Sequence, residues 1–174
     1  MKKILITGAG SYIGTSFENY INTNFPDEYT VDTVDMIGGG WKEKDFSPYD
    51  AVFHVAGIAH QKENEKNEHL YYEVNRDLAI ETAKKSIEDG VKQFVFLSSM
   101  SVYGLNEGVI TKDTTPYPKN NYGKSKLQAE ELLKELTKNK IRLVILRPPM
   151  VYGENCRGNY QALRKIALKF PFFP

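Results

Sequence analysis

The sequence predicts an α/β fold in which a doubly wound parallel sheet carries helices on both of its faces. Short apolar segments bounded by turn residues alternate with longer segments in which apolar residues recur every three or four positions. A glycine-containing turn directly follows the first apolar segment and begins a helical one. Hydroxyl-bearing and small residues follow later apolar segments, as expected at the edge of a sheet that faces a ligand. Strands that alternate with helices pair in parallel, so we expect one doubly wound sheet.

Length and composition limit the class of protein. The 174 residues suit one domain, and 41% hydrophobic residues suffice for a core. A net charge of +1 gives no reason to expect a nucleic-acid partner. The single cysteine, Cys156, excludes an intramolecular disulfide and fits a reducing compartment. No segment approaches the ~20 apolar residues of a membrane helix. We therefore predict a cytoplasmic protein with no membrane partner.

The turn after the first strand, residues 3–7, has the composition of a phosphate-binding loop. It reads Gly8-Ala9-Gly10-Ser11-Tyr12-Ile13-Gly14 and leads into a helical pattern. Glycines let the backbone turn tightly and approach a pyrophosphate, and the helix N-terminus offers free amides and a positive dipole end. The spacing Gly-x-x-Gly-x-x-Gly fits at Gly8 and Gly14, with Ser11 in the middle position. We predict a dinucleotide loop, and the alternative is a purely structural turn.

The second strand, residues 29–34, ends at an acidic residue that suggests the type of dinucleotide. Asp35 lies close to the ~20-residue spacing from the glycine turn that places a carboxylate on the adenosine ribose. Such a carboxylate accepts from the ribose hydroxyls and repels a 2′-phosphate, and no arginine follows it. This favours NAD over NADP. The alternatives are a solvated loop acid or Asp32 in the same role.

Two further strands end in residues suited to a ligand crevice. The third strand, from residue 51, ends in the small-residue turn Val55-Ala56-Gly57, across which a cofactor can lie. His54 stands in an apolar segment, where a core histidine is the expectation. The fourth strand, Gln93–Leu97, is followed at once by Ser98 and Ser99, whose hydroxyls face the crevice or else cap the strand. A helix over 70–88 separates these two strands.

The pair Tyr122-x-x-x-Lys126 lies at the start of a helix predicted over 122–139. Residues four apart share a helix face, so the phenol and the ammonium point the same way. A neighbouring positive charge favours the phenolate, which would make Tyr122 an acid/base at neutral pH. An ordinary amphipathic helix start is the alternative. A fifth strand over 141–146 and a last helix near residues 160–170 complete the chain.

In chain order, these motifs resemble the extended short-chain dehydrogenase/reductase family, in its NAD-dependent sugar-nucleotide epimerase/dehydratase branch. The resemblance covers essentially the whole chain and implies a Rossmann-type NAD-binding domain over residues 1–158. The matching segments are Thr7-Gly8-x-x-Ser11-x-x-Gly14, Asp35, Asp45-Phe46, His54-Val55-Ala56-Gly57, Asn75, Ser98-Ser99-x-x-Val102-Tyr103-Gly104, Tyr122-x-x-x-Lys126 and Arg147-Pro148-Pro149-x-Val151-Tyr152-Gly153.

The resemblance implies a role for each matching residue. Tyr122 takes the proton from a sugar hydroxyl, Lys126 holds the nicotinamide ribose and lowers the pKa of Tyr122, and Ser99 hydrogen-bonds the reacting oxygen. Asp45 and Phe46 flank the adenine. The other residues expected at the cofactor are Gly8, Ser11, Tyr12, Ile13, Gly14, Asp35, Val55, Ala56, Gly57, Asn75, Ser98 and Pro148. No metal is expected.

The family also has a smaller C-terminal domain that grips the nucleotide sugar. We expect residues 159–174 to begin that part and most of it to be absent, because the apolar run Phe170-Pro171-Phe172-Phe173-Pro174 is unusual for a free chain end. Met100-Ser101 stands where dehydratases have an acidic pair, which excludes that reaction. The lysine near Ala59 and the asparagine near Met150, usual in true UDP-galactose 4-epimerases, are absent.

The function expected from the resemblance is that of an NAD-dependent nucleotide-sugar epimerase. It is UDP-glucose 4-epimerase-like, acts at C4 through a 4-keto intermediate and serves surface-polysaccharide sugar synthesis. The first alternative is an NAD(P)-dependent 4-ketoreductase of a UDP- or dTDP-sugar, and the second is a non-catalytic dinucleotide-binding module. The expected partner is the nucleotide-sugar substrate, and a homodimer is compatible with the sequence.

Overall fold

The computed structural model describes residues 1–59, 67–153, 156 and 159–169. Its centre is one five-stranded sheet in which each strand pairs in parallel with its neighbours in the order β2-β1-β3-β4-β5. The expected α/β fold is therefore confirmed. The strands are β1 (Lys2–Thr7), β2 (Tyr29–Val34), β3 (Ala51–His54), β4 (Gln93–Leu97) and β5 (Arg142–Leu146).

Helices cover both faces of the sheet, and the alternation of side chains along each strand explains why. Leu5 points to one face and Ile6 to the other, and both are fully buried. The helices are α1 (Tyr12–Asn24), α2 (Glu68–Tyr72), α3 (Leu78–Glu88), α4 (Asn121–Thr137) and α5 (Asn159–Lys169). Helix α1 packs on the Ile6 face, while α3 and α4 pack on the Leu5 face.

The helix predicted over 70–88 is interrupted by a π-helical turn. Helices α2 and α3 are joined by Glu73–Asp77, in which the backbone has one extra residue per turn. Such turns are rare inside helices and cluster at functional sites. The extra residue directs Asn75 towards the end of β3, where its amide bonds to Ile58.

The connection between β2 and β3 has no α-helix, and its aromatic side chains cover the Leu5 face instead. A 3₁₀ segment, Ile37–Glu43, buries Trp41 in the core, and the chain beyond it runs along the sheet with Phe46 and Tyr49 also buried. Its end lies at the edge where strands begin. There Asp50 N donates to Lys3 O, and Phe46 N donates to the carboxylate of Asp89 just beyond α3.

This placement corrects one expectation from the sequence. Phe46 is fully buried among core residues, so its ring cannot flank an adenine. Asp45 is exposed, and its carboxylate accepts from the backbone and hydroxyl of Ser47. Both residues lie at the amino edge of the sheet, away from the strand ends where a dinucleotide binds. The Asp-Phe pair matches the family pattern in sequence but has a structural role here.

Within the described ranges, no helix is long and apolar enough to cross a membrane. The terminal run 170–174 and the predicted domain boundary at residue 158 lie outside the described residues. The division at that boundary stays a prediction.

Candidate active site

A cleft of about 960 Å³ opens at the edge of the sheet where the strands end. Its walls come from the segments that follow β1, β3, β4 and β5 and from the first turns of α4. Ligands of doubly wound sheets bind at this edge, beside the point where the strand order reverses, which here lies between β1 and β3. Ten sequence-predicted residues line the cleft: Ser11, Tyr12, Ile13, Val55, Gly57, Ser98, Ser99, Tyr122, Lys126 and Pro148.

The glycine turn after β1 has the shape that its sequence predicts. Gly8 has φ +105° and lies so close to β3 that a Cβ there would be 3.0 Å from the backbone of Ala56. A Cβ at Gly14 would be 2.7 Å from Ser11 Oγ and would also contact Ile6 and Val55. Ser11 caps α1 by accepting from Gly14 N at 3.2 Å. The glycines therefore let the turn lie flat on β3, with the start of α1 directed into the cleft.

The end of β2 lies beside this turn and supports the placement of Asp35. Val34 O accepts from both Gly8 N and Ala9 N, at 2.9 and 3.1 Å. Asp35, the next residue, is exposed, and its carboxylate accepts from Ile37 N at 3.0 Å. The rival Asp32 lies inside β2 and accepts from Tyr49 OH at 2.8 Å, at the opposite end of the connection. Of the two acids, only Asp35 stands next to the glycine turn.

Ser99 and Tyr122 meet at the centre of the cleft. The side chain of Ser99 is hydrogen-bonded to the phenol of Tyr122, and its Oγ also lies 3.1 Å from Ser101 Oγ. Burial raises the pKa of Tyr122 above its usual value, and the hydrogen bond from Ser99 offsets part of that rise. The geometry joins a hydroxyl to a phenol at the wall of the cleft, an arrangement suited to acid/base chemistry on a hydroxyl group.

Lys126 lies one turn of α4 beyond Tyr122 and is 4% exposed. Its ammonium donates to Leu97 O at 2.9 Å and stands 4.8 Å from the centre of the Phe96 ring. Burial lowers the pKa of Lys126 to about 8, against the attraction of Glu130. The net pKa of Tyr122 is raised, so the lowering expected from Lys126 is not seen in this arrangement.

Asn75 supports the cleft from behind. It is fully buried; its Oδ1 accepts from Ile58 N at 2.9 Å, and its Nδ2 donates to Ile58 O and Ser125 Oγ. A Cβ at Gly57 would be 2.9 Å from Asn75 Oδ1 and 3.2 Å from Lys126 Nζ. Asn75 therefore fixes the loop after β3 against α4, and its amide groups are already engaged in doing so. Its predicted contact with a cofactor stays a prediction.

His54 is a core residue, as its apolar strand suggested. The ring is fully buried between Phe94 and Phe96, and Nδ1 shares a hydrogen bond of 2.8 Å with Thr7 Oγ1. Burial and the nearby Lys126 lower the pKa of His54 to about 3, so the ring is neutral. Its Nε2 has no hydrogen-bond partner among the described residues.

A buried polar cluster behind the cleft escaped the sequence analysis. Glu130, fully buried on α4, accepts from Ser98 Oγ and from the guanidinium of Arg147, which also donates to Tyr103 OH at 2.6 Å. The hydroxyl of Ser98 is thus held by Glu130, although the residue lines the cleft. The sequence does indicate the position of Glu130, because it repeats the four-residue spacing of Tyr122 and Lys126 along one helix face. The neighbouring sequence does not indicate that its side chain is buried.

The outer part of the cleft is apolar and was also missed. Leu105 and Ile110 from the loop after β4, and Met150 and Val151 from the segment after β5, form this part of the wall. The loop residues show no periodicity, so no sequence pattern predicts where they fold. Ala59 and Met150, the two positions that depart from the pattern of true UDP-galactose 4-epimerases, both lie in the cleft.

A parallel sheet with a glycine turn at its switch point and a Ser-Tyr-Lys set in the adjoining cleft defines a dinucleotide-binding domain of the short-chain dehydrogenase/reductase type. Residues 4–170 match the NAD dependent epimerase/dehydratase family, and the chain belongs to that family. The resemblance drawn from the sequence is confirmed.

Two relatives with similar sequences are a nucleotide-sugar 4-epimerase and a lipid-linked sugar 4-epimerase. The chain is 31% identical over 191 aligned positions to the UDP-glucose 4-epimerase of Vibrio cholerae, covering 97% of this chain and 57% of that protein. It is 31% identical over 177 positions to the N-acetyl-alpha-D-glucosaminyl-diphospho-ditrans,octacis-undecaprenol 4-epimerase of Escherichia coli O157:H7, covering 94% of this chain and 54% of that protein.

A solved structure agrees with the sequence relatives. UDP-glucuronic acid 4-epimerase from Bacillus cereus, in complex with NAD, superposes with a TM-score of 0.73 at 27% identity. That match covers 87% of this chain and 57% of the other. The chain therefore spans little more than half the length of the relatives that it matches.

Proposed function

We propose that this chain is the cofactor-binding and catalytic part of an NAD-dependent nucleotide-sugar epimerase that acts at C4. The observation that carries the proposal is the meeting of Ser99, Tyr122 and Lys126 in one cleft, directly beside the glycine turn. The 4-epimerase relatives support the position of the reaction at C4. The lipid-linked sugar substrate in the name of the Escherichia coli relative favours a role in surface-polysaccharide sugar synthesis in the cytoplasm.

The residues around the glycine turn fit a dinucleotide. Gly8 packs closely against Ala56, and Gly14 against Ser11, which sets the turn so that the start of α1 lies at the cleft. A pyrophosphate there could accept from the first amides of α1. Asp35 stands where it can accept from the adenosine ribose hydroxyls, which favours NAD over NADP. Val55, Ala56, Gly57 and Pro148 form the floor on which the rest of the cofactor would lie. When bound, NAD supplies a hydride acceptor that later returns the hydride.

Three side chains have separate roles in the remaining chemistry, those of Tyr122, Ser99 and Lys126. Tyr122 takes the proton of the C4 hydroxyl as the C4–H bond gives up its hydride, leaving a 4-keto sugar. Ser99 donates to the same oxygen and keeps it against Tyr122. Lys126 holds the nicotinamide ribose. After the keto sugar turns its other face, Tyr122 returns the proton to the oxygen, and the C4 alcohol is inverted.

The apolar outer part of the cleft and the length of the relatives bear on the substrate. Leu105 and Met150 line the same cleft as Tyr122, so we expect the nucleotide of a nucleotide sugar that reacts at Tyr122 to lie towards them. We propose that residues 1–158 form the NAD domain and that a C-terminal part, beginning near residue 159, grips the nucleotide. A homodimer remains an open prediction of the sequence.

A 4-ketoreductase is the second candidate. Ala59 and Met150 line the cleft, and the lysine and the asparagine that true UDP-galactose 4-epimerases usually have near these positions are absent. A reductase uses the same Ser99, Tyr122 and Lys126 to protonate a keto oxygen. It differs in needing one equivalent of reduced cofactor for each sugar.

The epimerase and the 4-ketoreductase differ in whether they consume NADH, and this difference can be measured. The purified protein, at its natural length, is denatured and its supernatant assayed for NAD(H) and NADP(H). It is then incubated with UDP-sugars deuterated at C4, and the products are examined by NMR. An epimerase inverts C4, retains the deuterium and consumes no NADH. Consumption of NADH with a 4-keto sugar would establish the reductase, and absence of both reactions would leave a binding module.

A further inference from the structure

Glu130 is an unusual residue to find wholly enclosed in a fold. Its side chain is 0% exposed, and its carboxylate lies on α4 one turn beyond Lys126. A buried charge is costly unless it is paired and hydrogen-bonded, and a well-packed apolar pair often serves stability as well. Stability alone therefore does not explain why this position carries a carboxylate.

The partners of Glu130 come from two strand ends at the edge of the sheet that carries the cleft. Ser98 Oγ, directly after β4, donates to Glu130 Oε1 at 2.5 Å. Arg147, directly after β5, donates from Nε to both carboxylate oxygens at 2.9 and 3.2 Å and from Nη2 to Oε2. Tyr103 holds the other arm of Arg147. The carboxylate is thus fixed in one orientation behind Lys126.

The surroundings of Lys126 contain few charges. On α4 it is flanked by Tyr122 and Glu130, and on β3 by the neutral ring of His54. On β4 it meets the Phe96 ring and Leu97 O. Arg147, after β5, donates to the carboxylate of Glu130 and is linked to Lys126 only by way of that residue. Among the described groups, Glu130 is the carboxylate that acts on the ammonium, and it opposes the effect of burial.

We propose that Glu130, oriented by Arg147, is a positioning residue that keeps Lys126 in its charged form and fixes the strand end bearing Ser98 and Ser99. The inference rests on the proposed function, which gives Lys126 the role of holding the nicotinamide ribose. It adds to the Ser-Tyr-Lys set a fourth group that touches neither substrate nor cofactor. Burial favours the neutral form of Lys126 near neutral pH, and the negative charge of Glu130 offsets this effect.

The first test measures the charge of Lys126 directly. Protein with ¹³C-labelled lysine is titrated by NMR, and the Lys126 Cε signal is assigned by its loss in Lys126→Arg. Glu130→Gln should lower the titration midpoint of Lys126 by about 1 pH unit, the size of shift that a nearby opposite charge produces. Glu131→Gln removes the same charge from an exposed neighbour on α4 and should leave the midpoint unchanged.

A midpoint in folded Glu130→Gln that matches the wild type would overturn the proposal. If Glu130→Gln does not fold, Glu130→Asp keeps the charge but withdraws it from Lys126. A smaller drop in the midpoint is then expected, and no drop in folded Glu130→Asp would equally overturn it. Because this readout needs no turnover, it can succeed or fail independently of the epimerase proposal.

A second readout follows catalysis in the protein at its natural length. Lys126 in its charged form would hold the nicotinamide ribose, so the alkaline limb of kcat/KM, which reports its deprotonation, should move to lower pH in Glu130→Gln. A purely structural Glu130 would lower the amount of folded enzyme without moving that limb.

Discussion

The two edges of the sheet carry charged residues in opposite ways. At the amino edge, Asp50 pairs with Lys92 at 3.0 Å and Lys85 with Asp89 at 3.0 Å, on side chains that water reaches. At the carboxyl edge, Lys126 and Glu130 are buried behind the cleft, and Arg147 forms an ion pair with Glu130. Exposed pairs contribute little to stability, whereas buried charges are costly to maintain. The buried charges, which are costly in free energy, therefore lie at the carboxyl edge, where we propose that the reaction takes place.

The largest effect should come from the phenol at the carboxyl edge. Tyr122→Phe removes the acid/base group and should lower turnover by at least about 100-fold, while NAD affinity stays within about twofold. Steady-state epimerisation and NAD titration measure the two quantities. Tyr117→Phe changes an exposed tyrosine in the preceding loop and serves as the control. Normal turnover in Tyr122→Phe would remove Tyr122 from its assigned role.

A core residue at the amino edge should give an effect on stability alone. Phe46→Ala deletes a fully buried ring and should lower the free energy of unfolding by about 3–5 kcal/mol. The folded fraction should bind NAD as before, and so should Asp45→Asn, which changes an exposed neighbour. Chemical denaturation and NAD titration test this. A tenfold weaker NAD affinity in Asp45→Asn would restore the adenine role expected from the sequence.

Lys126 should make the stability of the cofactor-free protein depend on pH. Burial lowers its pKa from 10.5 to about 8, so between these values the unfolded chain binds the proton more tightly than the folded one. Stability therefore rises with pH across this window, and the cost of the buried charge, about 3 kcal/mol, is fully present only below it. The gain in stability from Lys126→Met should shrink between about pH 8 and about pH 10.5.

The control for this measurement is Lys124→Met, which changes an exposed lysine on the same helix. Its effect on the free energy of unfolding should stay nearly constant over the same window. A Lys126→Met effect that is equally constant would show that the ammonium keeps its ordinary affinity for the proton.

The smallest expected effect is a difference in stability between two glycine variants of the turn, which separates steric crowding from backbone strain. Gly8 and Gly10 both have positive φ, at +105° and +73°, but only a Cβ at Gly8 would meet another segment. Gly8→Ala should therefore destabilise by about 1–3 kcal/mol more than Gly10→Ala. Denaturant unfolding of both variants gives the difference. Equal losses would mean that the approach of the turn to Ala56 is not tight.

Short-range patterns predicted much of the fold and the centre of the site. The helical spacing of Tyr122 and Lys126, and the strand-turn-helix context of Gly8 and Gly14, are local, so the sequence carries them directly. The bounds of β2 and β4 follow for the same reason. Ser99 was placed because residues after a parallel strand face the crevice, whatever the rest of the chain does.

Other features depend on contacts that no local pattern encodes. Asp45-Phe46 matches a motif, but the β2–β3 connection takes it to the opposite edge of the sheet, because the Leu5 face needed aromatic cover there. The burial of Glu130 depends on Arg147, far along the chain. The π-helical turn at Asn75 adds one residue to a helix whose apolar spacing looks regular in sequence.

The interior position of β1 in the sheet also bears on how the chain is made. Its partners are β2 on one side and β3 on the other, and all strand pairs are parallel, so no hairpin can form early. The first strand is made with unpaired backbone N–H and C=O groups along both edges, and both edges are paired only after residue 54 has been made. Topologies of this kind fold slowly and expose strand edges while they do so. Chaperone demand during synthesis should accordingly be greatest before β3 has emerged.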